Sequence, residues 1–459
     1  MGPIREELRA CQSDYARFNE TILCRPAYWS KQREICESVL RYPITCVPTG
    51  NGVGKSFVDS GIIAAFAVLH PGSKTVAAAP TQAQLSGVLW EELRAAYKSA
   101  EANGRPLGGR FASLAWDLGD NWRVEGYGSG SVESKSGRHA GDLLAVIDEA
   151  SGVHRDVHEA IDSLNPSRRL YTGNPLRPEG KFFELCSNVN NNPHINVIQI
   201  SSLESPHVDL ERSPWGMADR TWIENARYEY GEDSLWWLSH VLGRFPGELS
   251  SALLPIAWLN AASAALHVKA GPARMGIDIA KGTEGDDSNI CIRDDNGVLG
   301  SWASNRWSLE ELARQAKLRA TEHNVAGARI TYDASGIGVD FGNRLAAVGL
   351  FGCKDYLGSR DGGEKYTNLR SAAGWQTRRR FDPTRNKQQP ETGLYLPQLP
   401  FHLPPSLLQR YRAELQGLRY GLDDRGRIAL ERKDEFVKRI KRSPNFLDAL
   451  IMTYAFPHA

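Results

Sequence analysis

The sequence predicts an α/β protein of two or three domains, and three observations carry that prediction. Short apolar or β-prone stretches at 44–47, 74–79, 143–147, 168–172 and 195–200 alternate with helical or Gly/Ser-rich segments. That is the pattern of a mostly parallel sheet covered on both faces. The pattern breaks between Arg244 and Gly271 and restarts as hairpin-rich strands, helix, strand, helix. The length of 459 residues suits that division, at roughly 100 to 200 residues per domain. The expected organisation is residues 1–250, a linker at 251–270 and residues 271–459.

In the second part, Arg274 to Ala280 and Ser288 to Arg293 read as strands. Asp295-Asn296-Gly297 is the turn into a third strand, Val298 to Ala303, with Asn-Gly supplying positive φ. Ser308 and Glu311 form a capping box opening a helix to about His323, and Ala328 to Tyr332 follows as a strand.

Composition excludes several classes. No apolar run approaches the ~18 residues that span a bilayer, and the N-terminus lacks the basic-then-apolar profile of a signal peptide. A soluble, cytosolic protein with no membrane partner is expected. The seven cysteines are scattered without C-x-x-C pairs and read as reduced thiols. His154 and His158, spaced i, i+4, have no third ligand that would make them a metal site. From Gly271 onward there are 29 basic and 23 acidic residues, so the second half is the better candidate for touching a polyanion.

Ile44 to Val47 runs into Pro48-Thr49-Gly50-Asn51-Gly52-Val53-Gly54-Lys55-Ser56, and an apolar helix follows to about Leu69. Strand, glycine loop and helix make a phosphate site: backbone N–H groups and the helix N-terminus face the phosphates, Lys55 adds charge and Ser56 can ligate Mg²⁺. Thr49 stands where the first glycine is usual, with Gly50 and Gly52 compensating. Leu143 to Ile147 is a buried-strand pattern ending in Asp148-Glu149. Asp148 is placed to hold Mg²⁺ through water, and Glu149 to orient and deprotonate an attacking water. With the loop upstream, this points to hydrolysis of a nucleoside triphosphate. Gln32 is a candidate adenine reader or an ordinary helix glutamine. Arg138 is a candidate arginine finger or a surface arginine. Thr172 and Asn174, in Thr172-Gly173-Asn174-Pro175, are placed to sense the γ-phosphate.

A second acidic set lies in the basic half. Asp278 is within an apolar strand, Asp333 ends another, and Asp448 starts an apolar C-terminal helix. A carboxylate in a buried strand is unfavourable unless paired or metal-bound, so the three together predict a cation site. Two Mg²⁺ or Mn²⁺ ions ~3.5 to 4 Å apart cleave phosphodiesters with such ligands. Asp286 and Asp287 are possible additions. Arg378 to Arg380, Lys433, Lys438-Arg439 and Lys441-Arg442 surround the set and are candidates for phosphate contacts or solvated helix faces.

In this order and spacing the motifs resemble the large terminase subunits of tailed bacteriophages, from the Gln32 region to Asp448-Ala449-Leu450. The resemblance implies a P-loop ATPase domain followed by a ribonuclease H-like nuclease domain. It assigns Lys55 and Ser56 to phosphate and Mg²⁺, Glu149 to catalysis, Thr172 to Asn174 to coupling, and Asp278, Asp333 and Asp448 to nuclease metals. It further implies packaging of double-stranded DNA, cutting of concatemers, a ring of five subunits on a portal protein, a small terminase partner, and the cytoplasm of an infected host. Asn445 stands where many relatives carry an acid, and no arginine lies within the loop. A repair helicase with a nuclease domain, and a catalytically inert DNA-docking or assembly protein, are the competing readings. The first is disfavoured by the lack of a second motor core, the second by Lys55, Glu149 and the three aspartates.

Overall fold

Eight strands of the first half join one sheet in the computed structural model, which describes residues 2–127, 141–187, 192–246, 251–280, 286–383, 386–388, 395–397 and 400–456. The strands are β1 (Ile44–Pro48), β2 (Lys74–Ala78), β3 (Arg110–Phe111), β4 (Ala115–Gly119), β5 (Trp122–Tyr127), β6 (Leu143–Ile147), β7 (Arg168–Gly173) and β8 (Ile195–Val197), in the order β3-β4-β5-β2-β6-β7-β1-β8. From β5 to β8 every pairing is parallel, and β4 and β3 add an antiparallel edge. β2 and β6 are buried at every position, as parallel strands covered on both faces must be. The helix Lys55–Leu69, apolar on nearly every side, is buried along most of its length.

The chain divides into two units, Met1–Glu248 and Leu249–Ala459. The second is built on β9 (Arg274–Asp278), β10 (Ser288–Arg293), β11 (Val298–Ser304), β12 (Ile330–Asp333) and β13 (Lys354–Tyr356), in the order β11-β10-β9-β12-β13. The first three are antiparallel, while β12 and β13 run parallel to β9. The sheet is therefore mixed, built from the hairpin strands and the later strand read in the second half. The helix Asn445–Met452, buried throughout, packs on β9 and β10.

Three local features differ from the sequence reading. The β10–β11 turn uses no positive φ at Asn296 or Gly297. Instead Asp294 Oδ1 accepts from Asn296 N at 2.8 Å and Gly297 N at 2.9 Å, so a carboxylate shapes a wider turn. Ser308 caps its helix through Glu311 N at 3.2 Å, but the Glu311 carboxylate turns to Arg314 and Gln315 instead of closing the box. Residues 251–270, expected as a linker, include the helix Ile256–Ala264. Its Trp258 is buried in the second unit beneath Arg378, at 4.4 Å from the ring centroid. No helix of the described residues is long and apolar enough to cross a membrane.

Candidate functional site

In the first unit, the end of β1 passes into a loop whose backbone is tied down before it reaches the helix. Thr49 N donates to Gly173 O at 3.0 Å, Gly50 N to Ile200 O at 2.8 Å and Asn51 N to His240 O at 2.6 Å. Gly52 and Gly54 have φ of +66° and +77°, a region that L side chains rarely adopt. A Cβ at Gly52 would also lie 2.5 Å from Ala218 N. Thr49, in place of the usual glycine, is fully buried and continues the strand. The loop then opens the helix at Lys55 and Ser56, where the first-turn amides have no intrahelical acceptor.

Asp148 and Glu149 turn sharply off β6. Glu149 adopts φ +49°, uncommon outside glycine, and its Oε1 lies 3.5 Å from Lys55 Nζ. Asp148 is buried and accepts from Glu149 N at 2.9 Å. Burial, then the Glu149 charge, pushes its carboxyl up to about 7 against the pull of Lys55. β7 delivers Thr172 and Asn174 to the same place. Asn174 Nδ2 donates to Thr49 O at 2.7 Å, and its backbone N–H points to Glu149 Oε2 at 3.4 Å. Thr49, Lys55, Asp148, Glu149, Thr172 and Asn174 are therefore brought together.

A cavity of about 820 Å³ is lined by Gly52–Phe57 together with Trp29, Val88, Trp215 and Met217. Gln32 lines it, but its amide donates to Val53 O at 3.3 Å and Gly54 O at 3.2 Å. As placed, Gln32 braces the loop with the groups expected to read a base. Arg138 lies outside the described residues. The sequence reading missed Asp59, fully buried one turn beyond Lys55, whose Oδ2 accepts from Thr172 Oγ1 at 2.6 Å. Burial, then Asp148, raises the Asp59 carboxyl well above the carboxylate range. The signal available was a lone Asp in an otherwise apolar helix.

In the second unit, Asp278, Asp333 and Asp448 line one cavity of about 400 Å³. Adjacent parallel strands β9 and β12 end in Asp278 and Asp333, and the helix packed on β9 brings Asp448. Asp278 is buried, and burial outweighs Lys433 to push its carboxyl up to about 8, with Asp448 and Asp333 adding to the rise. Asp448 is also buried, which raises its pKa, yet Arg370 and Lys433 hold it below the ordinary value. Arg370 Nη2 lies 2.9 Å from Asp448 Oδ1; Lys433 Nζ lies 3.3 Å from Asp448 Oδ2 and 3.8 Å from Asp278 Oδ1. Hard oxygen donors around one cavity fit a divalent cation, and these three aspartates are the residues that would hold it. As they stand, among the described residues, no three acidic groups close tightly enough to enclose an ion, and Lys433 bridges two of them.

Supporting residues emerge around this set. Glu414, 1% exposed, accepts from Phe446 N at 3.0 Å and Leu447 N at 3.3 Å, capping the helix that carries Asp448. Asp286 accepts from Ser443 Oγ at 2.8 Å. Several basic residues considered for phosphate contacts have internal work. Arg378 is buried and donates to Leu253 O at 2.7 Å, Arg380 Nε donates to Asp295 O at 3.0 Å, and Arg439 and Arg442 pair with Glu431 and Glu414, each at 2.6 Å. The basic groups lining the cavity are Arg370, Arg432 and Lys433, with Asp434 a fourth acidic residue beside the three aspartates.

Comparison with known proteins matches the motif-based resemblance to large terminase subunits. A protein of Enterobacteria phage P7 described as a probable terminase, large subunit, is 26% identical over 270 residues, covering 54% of this chain and 52% of that protein. The chain thus spans about half the length of that curated relative. No family model matches. Among solved structures, the large terminase of the thermophilic bacteriophage D6E aligns with 94% of this chain and 99% of its own, at TM-score 0.47 and 11% identity. The HK97 bacteriophage large terminase aligns with 97% and 99%, at TM-score 0.39 and 11% identity. The nuclease domain of gp2 of bacterial virus Sf6 aligns with 44% of this chain and 98% of its own, at TM-score 0.35 and 19% identity. The strand orders above, and not these values, fix the architecture.

Proposed function

We propose that this chain is the large subunit of a phage DNA-packaging terminase: an ATPase that drives double-stranded DNA into a procapsid, joined to a metal-dependent endonuclease that cuts concatemers. The observation that carries this reading is the presence of two separate acidic centres. One is a phosphate loop with Glu149 beside Lys55; the other is three aspartates on one cavity.

In the first centre, the amides at the loop and helix start and the Lys55 ammonium bind the phosphates of ATP. Ser56 and Asp148 would hold Mg²⁺, which neutralises phosphate charge when bound. Glu149 orients the attacking water and takes its proton. Asn174 touches both Thr49 and Glu149, so a change at the γ-phosphate reaches β7 directly, and Thr172 to Asn174 couple hydrolysis to movement. Arg138 is the proposed arginine finger. In the second centre, Asp278, Asp333 and Asp448 would hold two Mg²⁺ or Mn²⁺ ions, which when bound would supply water activation and leaving-oxygen stabilisation. Arg432 and Lys433 face the DNA phosphates. A portal protein, a small terminase subunit and a five-membered ring of this chain complete the assembly. A helicase–nuclease is the weaker reading, because the second unit is built on a five-stranded mixed sheet with two small two-stranded sheets, and not on a second motor core.

ATP hydrolysis and Mn²⁺-dependent nicking of plasmid DNA test the assignment. Lys55→Ala is expected to abolish the first and spare the second, and Asp278→Ala the reverse. Hydrolysis that survives Lys55→Ala, nicking that survives Asp278→Ala, or strand separation on a forked duplex would overturn it.

A further inference from the structure

Asp59 takes no part in the hydrolysis just described, yet it sits inside that site. It lies four residues beyond Lys55, on the helix the phosphate loop opens, and is fully buried. Its Oδ2 accepts from Thr172 Oγ1 at 2.6 Å, and the same hydroxyl lies 3.4 Å from Asp148 Oδ1. A hydroxyl has one proton and donates it to one acceptor at a time. The shorter contact gives that proton to Asp59, because a separation of 3.4 Å is beyond the range of a good O–H···O bond.

We propose that Asp59 is a positioning residue of the nucleotide site: by accepting the Thr172 proton it keeps Asp148 available to the hydrated divalent cation of a bound nucleoside triphosphate. The inference rests on the reading of the first unit as a nucleotide-hydrolysing domain. Without an acceptor at 59, the Thr172 hydroxyl turns to Asp148 and competes with the cation's water for the same lone pairs. An asparagine at 59 keeps the acceptor oxygen and the shape. Removing the Thr172 hydroxyl removes the competitor.

The test is Mn²⁺ binding to the full chain, read from free Mn²⁺ by electron paramagnetic resonance. Binding is measured with and without a non-hydrolysable ATP analogue, and the ion held by the analogue alone in protein-free samples is subtracted, so that only the ion bound with analogue on the protein is counted. Asp59→Leu is expected to weaken that ion about tenfold, which corresponds to about 1.4 kcal/mol. Asp59→Asn should stay within about twofold of the wild type, and Asp59→Leu with Thr172→Val should recover most of the loss. A general structural defect would not be rescued by a second deletion. If the leucine variant does not unfold cooperatively, Asp59→Ser, too short to reach Thr172, takes its place. Unchanged binding in the leucine or serine variant, a tenfold loss in the asparagine variant, or no recovery in the double variant overturns the inference. Absence of analogue-dependent Mn²⁺ in the wild type overturns the nucleotide reading itself, a distinguishable outcome.

Discussion

Replacing Gly276 with alanine should separate the two activities, because the backbone of β9 touches the helix that carries Asp448. A Cβ at Gly276 would lie 1.9 Å from Ala449 O, 2.9 Å from Ala449 C and 3.2 Å from Thr453 Cγ2. The first contact is with helix backbone, so no side chain can swing aside. Reaching even about 3 Å requires the helix Asn445–Met452 to retreat by roughly 1 Å, an overpacking that destabilises by about 1–3 kcal/mol. For a unit the size of residues 249–459, that is a Tm reduction of roughly 2–12 °C. Asp448 immediately precedes Ala449, and Asp278 lies two residues beyond Gly276, so the shift falls on the distance between two proposed metal ligands. A displacement of ~1 Å at such a site lowers turnover by about 100-fold. Nicking by Gly276→Ala, assayed at saturating Mn²⁺, should fall by that order while ATP hydrolysis stays within about twofold. Gly421→Ala is the control, because nothing lies within 4 Å of a Cβ there. A Gly276→Ala protein that nicks DNA like the wild type and melts within 1 °C of it would refute the close-contact argument.

Three other expectations follow from the same geometry. Burial pushes the Glu414 carboxyl up to about 7 despite Arg442. Between its unfolded pKa of ~4.3 and about 7 the native state therefore holds a proton that the unfolded chain releases, and stability falls as pH rises through that window. Chemical denaturation at pH 5 and pH 8 should show Glu414→Gln removing part of that fall, with an upper limit on the order of 3 kcal/mol; parallel pH profiles would contradict it. Arg370→Ala leaves buried Asp448 with Lys433 alone, at 3.3 Å, which should destabilise by less than the ~3–5 kcal/mol of an uncompensated buried charge and raise the pH needed for nicking, whereas an unaltered Tm would count against the pairing. Gln32→Ala removes two bonds to the loop carbonyls, so the KM for ATP should rise severalfold with the ATP-to-GTP preference unchanged; a changed preference would restore Gln32 as a base reader.

The phosphate loop was legible in the sequence because its parts are contiguous: β1, the glycines, Lys55 and Ser56 follow one another, and local backbone geometry alone builds the cradle. Asp148 and Asp333 were legible for a related reason, since an apolar strand that ends in a carboxylate announces a sheet edge; Asp278 was legible because a carboxylate within an apolar strand needs a partner, although the strand in fact ends at it. What each charged group does with its neighbours was decided by tertiary structure. Asp59 meets Thr172 across 113 positions and Arg370 meets Asp448 across 78, spacings that no pattern records. Arg378 belongs to a basic run that reads as phosphate contacts or a solvated helix face, yet packing buries it against Trp258. Gln32 reads as an adenine reader or an ordinary helix residue, yet folding puts its amide on the loop carbonyls. Sequence sets which groups can ionise or donate. Burial and the partner across the fold set whether they do, because the energy of a charge or a polar group depends on the medium and neighbours around it.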